Sequence, residues 1–362
     1  MTKTITLLNN NPPFSGVGRY AYTLYQSLVK LGVEASFISW DKELFNLIYQ
    51  SLRAFRLEWL YYLWKFKRLS AKLNINSPLV HITNAGYLAS VIPKLRRHHA
   101  IIVTIHDTIP IYARDSLGRR MMGKALRNVL LADRCITVSE TTKERLRFID
   151  VDLKKVRVIY HGVDHELFKP RDKLEARRKL GLPLDRPIIL NVGSEEPRKN
   201  IPTLLKSFKE LLNCVPNALL VRVGERTAQI KKFMRGLGLS DKVLYRRALS
   251  NEVFALYYNA ADLLVHTAYH EDFGFPLLEA MASGLPVIAG NRIAIPEVVG
   301  DAGILLDPFD VNGFAYWMHE VLTNEDLKAK LSEKGYRRSM NFSWEKCAWE
   351  TLEVYREVLN EV

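Results

Sequence analysis

Short apolar runs alternate with helical patterns along the whole chain of 362 residues, and this alternation limits the possible folds most strongly. Runs that are apolar throughout, with no polar side, are typical of parallel strands that are buried on both faces. Strands that alternate with helices in this way form doubly wound α/β sheets. The sequence therefore predicts an α/β protein, with strands at residues 4–8, 33–40, 79–83, 100–105, 134–139, 188–193, 219–224, 243–245, 263–266, 286–290 and 304–307.

The alternation is interrupted near the middle of the chain and then restarts, which predicts two domains. Connecting segments around residues 165–173 and 182–187 separate the two series of strands. A chain of this length also fits two domains of about 100–200 residues each. We predict Rossmann-like domains at 1–166 and 167–342. At 343–362 we predict a helix that packs back towards the first domain, since its large apolar residues recur at helical spacing (Trp344, Trp349, Leu352 and Tyr355).

Positive charge is concentrated in the first half of the chain. Residues 1–166 contain 25 Lys and Arg against 13 Asp and Glu, a net charge of +12, whereas the remaining residues have +1. Such asymmetry indicates an extended anionic partner, either a membrane surface or a nucleic acid, or else a basic surface without a partner. Residues 44–73 combine aromatic and basic side chains, which fits a helix lying on anionic lipid or a helix packed into the core.

The sequence pattern argues against targeting signals and against a functional role for the cysteines. No apolar run approaches the roughly 18 residues that a membrane span requires, and the N-terminal apolar run is too short for a signal peptide. We therefore predict a cytoplasmic protein, with possible peripheral contact at the membrane. The three cysteines (Cys135, Cys214 and Cys347) are widely scattered, which argues against a disulfide framework and a zinc site.

The most specific chemical pattern is a loop that runs into a short helix at residues 270–284. Pro276 suits the helix start, and Gly284 suits the position just after its end. The backbone N–H groups of Phe273, Gly274 and Phe275 would attract an anion such as phosphate at the helix N-terminus. Two acids also flank this loop, and they could hold the hydroxyl groups of a sugar or merely favour the helix dipole (Glu271 and Glu279).

Glycines or polar residues follow three of the predicted strands. Doubly wound folds bind their ligands at the ends of such strands. Gly16 and Gly18 follow the first strand and predict either close approach to a ligand or a plain tight turn. His106 ends another strand and is a candidate for binding a hydroxyl or for a structural role. Arg198 and Lys199 fit a diphosphate site or a solvated pair of charges. The third glycine and the acid of a dinucleotide fingerprint are missing, which disfavours a dehydrogenase.

Taken together, these motifs resemble the retaining glycosyltransferases of family 4, which have the GT-B fold. The resemblance rests on residues 270–284 and 296–300, on the glycine pair, and on His106-Asp107, Tyr160-His161-Gly162-Val163-Asp164 and Arg198-Lys199-Asn200. It implies two Rossmann-like domains that face a central cleft. One departure is Asp272, where the family usually has glycine.

The resemblance also implies roles for the matching residues. Glu279 would bind the ribose of a nucleotide-sugar donor, and Glu271 would lie beside its sugar. Arg198 and Lys199 would hold the diphosphate, so that no metal and no cofactor is needed. The first domain would supply His106 near the reacting centre. The remaining implied donor contacts are made by backbone groups (Gly16, Gly18, Phe273, Gly274 and Phe275).

The resemblance also implies which donor and which acceptor the protein would use. Residues 104–110 and 294–303 look most like the mannosyl- and rhamnosyltransferase branch. From this we expect GDP-mannose as donor, with UDP-hexoses second. The acceptor that we expect is a glycan or a lipid-linked sugar bound by the first domain. The alternatives are a sugar-nucleotide epimerase of the same fold and a protein with a nucleic-acid partner.

Overall fold

The computed structural model describes residues 4–11, 15–39, 75–107, 127–247 and 250–360. The basic aromatic stretch predicted at 44–73 and the segment 108–110 lie outside the described residues. The chain divides into two compact units, Met1–Gly162 with Trp344–Val362 and Val163–Ser343. The first unit thus ends at Gly162 rather than at residue 166, because Val163 pairs with Ser343 and donates its N–H to Phe342 O in the second unit.

The first unit contains a parallel sheet of six described strands in the order β2-β1-β3-β4-β5-β6. Each lies at a predicted run, except for the last, which begins the segment that closes the first half. The strands are β1 (Ile5–Asn9), β2 (Ala35–Ser39), β3 (Leu79–Ile82), β4 (Ala100–Ile105), β5 (Arg134–Thr137) and β6 (Val156–Val158).

The second unit repeats this architecture with six described parallel strands in the order β12-β11-β10-β7-β8-β9. All of them lie at predicted runs, and the innermost strands are fully buried, as continuous apolar sequence requires. They are β7 (Ile188–Val192), β8 (Leu219–Val223), β9 (Val243–Arg246), β10 (Leu263–His266), β11 (Val287–Gly290) and β12 (Ile304–Leu306).

Helices connect the strands in both units, and none of those described combines the length and hydropathy that a membrane crossing requires. In chain order they are α1 (Gly16–Lys30), α2 (Ile92–Leu95), α3 (Glu140–Arg145), α4 (Lys173–Leu180), α5 (Ile201–Leu211), α6 (Ala228–Gly236), α7 (Asn251–Ala260), α8 (Phe275–Ala282), α9 (Ile295–Val299), α10 (Val311–Thr323), α11 (Glu325–Ser339) and α12 (Trp344–Asn360).

Helix α1 begins at Gly16, where the sequence analysis predicted a loop or tight turn containing Gly16 and Gly18. Ser15 is its N-cap, and the Ser15 hydroxyl accepts a hydrogen bond of 3.0 Å from the Gly18 N–H. A serine at this position satisfies one of the free N–H groups of the first turn. Gly16 and Gly18 therefore belong to the first helical turn and not to a loop before it, and the Gly18 N–H is already bonded.

Helix α12 belongs to the first unit, although the second unit precedes it in the chain. Cys347, Ala348 and Tyr355 are buried with residues of α1 and with one face of the sheet. Trp349, which the sequence pattern predicted to cover the core, is 44% exposed. The buried positions follow the helical period, and Trp349 lies on the opposite side of the helix.

Candidate active site

Strand order identifies one crevice in the second unit where a ligand site is expected. Strands β8 and β9 follow β7 on one side, whereas β10 lies on the other side of β7. In open α/β sheets, ligands bind beyond the carboxyl ends of the strands at such a switch in order. Strand β7 leads to Arg198 and Lys199, and β10 leads to the loop of Glu271. The sheet thus brings together charged residues that are more than 70 positions apart.

Glu271 is the centre of a buried network of charged groups. Its Oε2 accepts a hydrogen bond of 3.1 Å from Arg198 Nη1. Its Oε1 is bonded to Lys199 Nζ and lies 3.0 Å from His266 Nε2. The Glu271 residue is only 7% exposed. The structure therefore joins three of the predicted site residues directly, with the acid paired to both cations.

This network fixes the ionisation of Glu271. Burial alone disfavours the carboxylate, but Lys199, the hydrogen bond from His266 and the charge of Arg198 together outweigh it. They hold the pKa of Glu271 well below its usual range, so the group is a carboxylate at neutral pH. Burial lowers the pKa of His266, which favours the neutral ring despite the neighbouring acid. His266 was not among the predicted site residues. The feature of the sequence that could have identified it is its position as the last residue of a predicted buried strand.

The loop after Glu271 turns sharply into helix α8. Gly274 is the residue before the helix and has a φ of +101°, a left-handed conformation that glycine adopts without strain. Pro276 is the second helical residue rather than the first, and Gly284 follows the helix end with a φ of +71°. The backbone N–H groups of Phe273, Gly274 and Phe275 thus precede or begin a helix, which is the arrangement that favours anions.

Glu279 is buried within helix α8, with a relative exposure of 1%. The hydroxyl of Tyr258 donates a hydrogen bond of 2.6 Å to Glu279 Oε2. A hydrogen bond of this length holds the carboxyl group of Glu279 in one orientation. Tyr258 lies in α7, and no spacing in the sequence linked it to Glu279, so its contribution emerges only from the tertiary structure.

His106 follows β4 in the first unit and is buried there. Its Nε2 lies 2.8 Å from the carbonyl oxygen of Thr83, so Nε2 carries the proton and donates it. In a neutral ring with its proton on Nε2, Nδ1 is an acceptor. No described residue is hydrogen-bonded to it. Burial lowers the pKa of His106 to about 4, although the bond to Thr83 opposes this shift. The ring is neutral at pH 7 and offers a lone pair to a donor such as a hydroxyl.

A buried chain of polar groups lies beside His106. The hydroxyl of Thr104 lies 2.9 Å from the Tyr20 hydroxyl and 2.7 Å from His81 Nε2. The ring of Tyr20 packs edge-on against His106, with centroids 4.6 Å apart. It also contacts His161 at the same centroid distance, with the two rings tilted by 45°. Tyr20 belongs to α1, so this helix contacts the imidazole of His106 directly. The sequence analysis placed His81 in a predicted strand and did not single out Tyr20.

The predicted site residues thus fall into one group in each unit. Arg198, Lys199 and Glu271 contact one another in the second unit, and Glu279 occupies the helix that follows their loop. His106 lies in the first unit, where Gly16 and Gly18 begin α1.

Two family models match the chain over most of its length. One, described as glycosyl transferases group 1, matches residues 172–338. The other, described as glycosyltransferase family 4, matches residues 14–167. Each match corresponds to one of the two doubly wound units.

Curated relatives match the chain over part of their length. A D-inositol 3-phosphate glycosyltransferase of Nocardioides sp. is 31% identical over 239 residues, which make up 61% of this chain and 52% of the relative. The enzyme of the same name from Streptomyces avermitilis is 31% identical over 251 residues, or 65% of this chain and 54% of the relative. The chain thus spans about half the length of the curated relatives it matches.

Solved structures match the fold over nearly the whole chain. Sucrose-phosphate synthase from Thermosynechococcus elongatus has a TM-score of 0.79 and 25% identity, and covers 99% of this chain and 100% of its own. A glycosyltransferase from Rickettsia africae has a TM-score of 0.75 and 20% identity, and covers 100% of both chains. With both family models matched and two parallel six-stranded sheets, the chain belongs to the family 4 glycosyltransferases of the GT-B fold.

Proposed function

We propose that the protein is a retaining hexosyltransferase, which moves a hexose from a nucleotide sugar to a hydroxyl group without a metal ion. The observation that carries this proposal is the buried contact of Glu271 with Arg198 and Lys199. Two cations meet one buried carboxylate, so one positive charge remains for a further anion. A second acid, Glu196, also pairs with Arg198 at 2.7 Å, but its side chain is 55% exposed, so that water competes for this pair and weakens it.

The diphosphate of a nucleotide sugar fits this surplus charge. Arg198 would bind it through its planar fork and Lys199 as a point charge. Both cations would then stabilise the negative charge that develops as the diphosphate leaves. This is the role that Mg²⁺ has in other transferases, and it is the physical basis for proposing a metal-independent reaction.

Glu271 has a different role because it remains ionised. A carboxylate can accept hydrogen bonds from sugar hydroxyls and can stabilise positive charge at the anomeric carbon. In the proposed step, the acceptor oxygen bonds to the anomeric carbon on the face from which the diphosphate departs. The acceptor proton passes to the departing diphosphate. A double displacement through Glu271 is the alternative route to the same retained configuration.

His106 and Glu279 complete the proposal. The neutral His106 ring presents Nδ1 as an acceptor, which suits a hydroxyl close to the reacting centre. Glu279, oriented by Tyr258, has carboxylate oxygens of the kind that bind ribose hydroxyls. Backbone N–H groups at Phe273, Gly274 and Phe275 add donors for the diphosphate or the sugar.

The donor that we propose is GDP-mannose, with UDP-hexoses as the second candidate, on the resemblance of residues 104–110 and 294–303 to mannosyltransferases. For the acceptor we propose a glycan or a lipid-linked sugar, which fits the net charge of +12 in residues 1–166. The name of the relatives, D-inositol 3-phosphate glycosyltransferase, favours a phosphorylated polyol as the second candidate. Peripheral contact with anionic membrane through residues 44–73 remains part of the proposal.

Donor binding and sugar transfer test the proposal separately. Thermal-shift measurements with GDP, UDP and their sugar conjugates should show stabilisation by one base in preference to the other. The Glu271→Gln and Arg198→Ala variants should each lose transfer by about 100-fold or more. Matched controls are Glu333→Gln and Arg337→Ala, because Glu333 and Arg337 form an exposed ion pair within α11.

Four results would contradict the proposal. Transfer at the wild-type rate in both Glu271→Gln and Arg198→Ala would remove the assigned roles. An inverted anomeric configuration in the product, read by nuclear magnetic resonance, would exclude retention. Loss of activity with EDTA, restored by a divalent cation, would exclude metal independence. An epimerase would reveal itself by converting the nucleotide sugar without any acceptor.

A further inference from the structure

A cavity lies in the second unit, at the edge of the sheet opposite the candidate active site. It has a volume of about 340 Å³. Asp262 and Pro286 line it, and they precede β10 and β11, whereas the Glu271 loop follows β10. Its other walls include the end of α7, the residues after α8 and one side of α11. None of the charged groups discussed above for the donor site lines it.

The charges in this cavity favour an anion. Asp262 accepts a hydrogen bond of 2.8 Å from Arg177 Nη2, and the Arg177 side chain is only 4% exposed. This buried pair is neutral by itself. Lys173 Nζ lies 2.7 Å from the same carboxylate and Lys328 Nζ lies 3.6 Å from it. The two lysines are therefore cations in excess of the one acid that they share.

Neighbouring charges do not remove this excess. Glu325 pairs with Lys328 at 3.3 Å but is 79% exposed, so that solvent screens it. Arg171 adds a further positive charge to the cavity lining. The guanidinium of Arg171 bonds a carbonyl oxygen, that of Leu167, and no described acid forms an ion pair with it.

Hydroxyl groups provide a second, independent indication of a polar ligand. Ser283 lines the cavity and is 6% exposed, and its Oγ has no hydrogen-bond partner among the described residues. A buried hydroxyl without a partner is costly unless a ligand or water satisfies it. Close by, Ser332 donates to Gly284 O at 2.5 Å. Apolar walls complete the cavity and could pack on the face of a sugar ring (Pro170, Leu285 and Pro286).

We propose that this cavity binds a small phosphorylated sugar or polyol. The phosphate would contact Lys173 and Lys328, and a ligand hydroxyl would bond to Ser283. The volume lies at the lower end of the range of about 300–1,000 Å³ for small-molecule sites, so it fits a monosaccharide phosphate better than a whole nucleotide sugar.

A direct contact connects this cavity with the candidate donor site. Tyr258 lines the cavity, and its hydroxyl donates to Glu279 at 2.6 Å. A ligand that shifts the Tyr258 ring would change the orientation of Glu279. This regulatory consequence rests on the proposed function, because it assumes that Glu279 binds the donor ribose. By linkage, the ligand and the donor would alter each other's affinity by the same factor.

Calorimetric titration of the full chain tests the cavity. The probes are glucose 6-phosphate, inorganic phosphate and glucose, each added with and without saturating GDP or UDP. We expect both phosphate-containing probes to bind and glucose not to bind. The double variant Lys173→Ala/Lys328→Ala should weaken glucose 6-phosphate by about tenfold or more, the scale of lost charge-assisted hydrogen bonds.

Two further variants make the test specific. Ala329 is an exposed residue of the lining, so Ala329→Trp should block the cavity while circular dichroism shows an intact fold. Lys334→Ala is the matched control, since Lys334 lies on the same helix and pairs with Asp301 outside the cavity. It should bind glucose 6-phosphate with wild-type affinity.

Each outcome has a definite meaning. The cavity proposal is overturned if glucose 6-phosphate does not bind, or if its binding survives the lysine and Ala329→Trp variants and is lost in Arg198→Ala. Binding at the cavity that leaves GDP and UDP affinity unchanged would overturn the link to Glu279. If no nucleotide binds at all, the proposed function fails, whereas binding of glucose 6-phosphate that depends on the lysines would still establish the cavity.

Discussion

The hydroxyl of Tyr355 in α12 lies 2.6 Å from Nδ1 of His81 in β3, and both residues are buried. The other nitrogen of His81 lies 2.7 Å from Thr104 Oγ1. The last helix is therefore attached to the centre of the first sheet by a polar contact as well as by apolar packing. The same buried chain continues from Thr104 to Tyr20, which packs against His106.

Tyr355→Phe should destabilise the first unit by about 1–3 kcal/mol, because a buried nitrogen of His81 loses its partner. Urea unfolding of the full chain measures this loss. Tyr22→Phe is the control, since Tyr22 lies in α1 of the same unit and is 47% exposed. Equal unfolding curves for the two variants would show that the contact contributes nothing measurable.

Acid should destabilise the first unit between pH 6.5 and about pH 3. Burial lowers the pKa of His81 to about 3, helped by the charge of His106, and burial lowers the pKa of His106 to about 4. The unfolded chain, with histidines near 6.5, binds more protons in this range. Stability is therefore complete above pH 6.5 and is lost as the pH falls.

Each such histidine adds about 1.4 kcal/mol per pH unit to the slope of unfolding free energy against pH. Thermal unfolding at a series of pH values measures the slope. His81→Gln should make it shallower, because one proton fewer is taken up on unfolding. A slope that the variant leaves unchanged would contradict the assignment to His81.

Tyr258→Phe should weaken nucleotide binding by about three- to tenfold, the value of one hydrogen bond. The phenol no longer orients Glu279, while the aromatic ring keeps its packing against Phe168 and Phe254. Titration with GDP or UDP gives the affinity. Tyr316→Phe serves as the control because Tyr316 is exposed in α10 of the same unit. Unaltered affinity in Tyr258→Phe would separate Glu279 from donor binding.

Gly274→Ala should cost about 1–3 kcal/mol of backbone strain and should lower transfer activity. The residue has a φ of +101°, and an added Cβ would lie 2.9 Å from Leu277 Cδ1. The leucine can move, but the backbone conformation cannot relax without shifting the loop between Glu271 and α8. Thermal unfolding and a transfer assay measure both effects.

Gly236→Ala is the natural comparison for Gly274→Ala. Gly236 ends helix α6, has nothing within 4 Å of an added Cβ and has no positive φ. Alanine there should be neutral or stabilise by up to about 1 kcal/mol. If both variants lost the same stability, the left-handed conformation at Gly274 would not be the cause.

Much of this molecule was predictable from local sequence patterns. Strands such as β4 and β10 lie at their apolar runs because a strand buried on both faces requires apolar residues throughout. Helix α8 could be located from Pro276 and Gly284, since both act through their own backbone geometry. The starting residue of α1 was missed, because the cap by Ser15 competed with the expectation that two glycines form a loop.

The sequence by itself determined the two series of strands and helices, the family, and the types of residue at the carboxyl ends of the strands. Only the tertiary structure decided that Glu271 contacts both Arg198 and Lys199. The same is true of the hydrogen bond from Tyr258 to Glu279 and of the hydrogen bond between α12 and His81. The physical reason is that side-chain periodicity and backbone preference act over a few residues. Contacts between distant segments depend on strand order and packing, which no local pattern encodes.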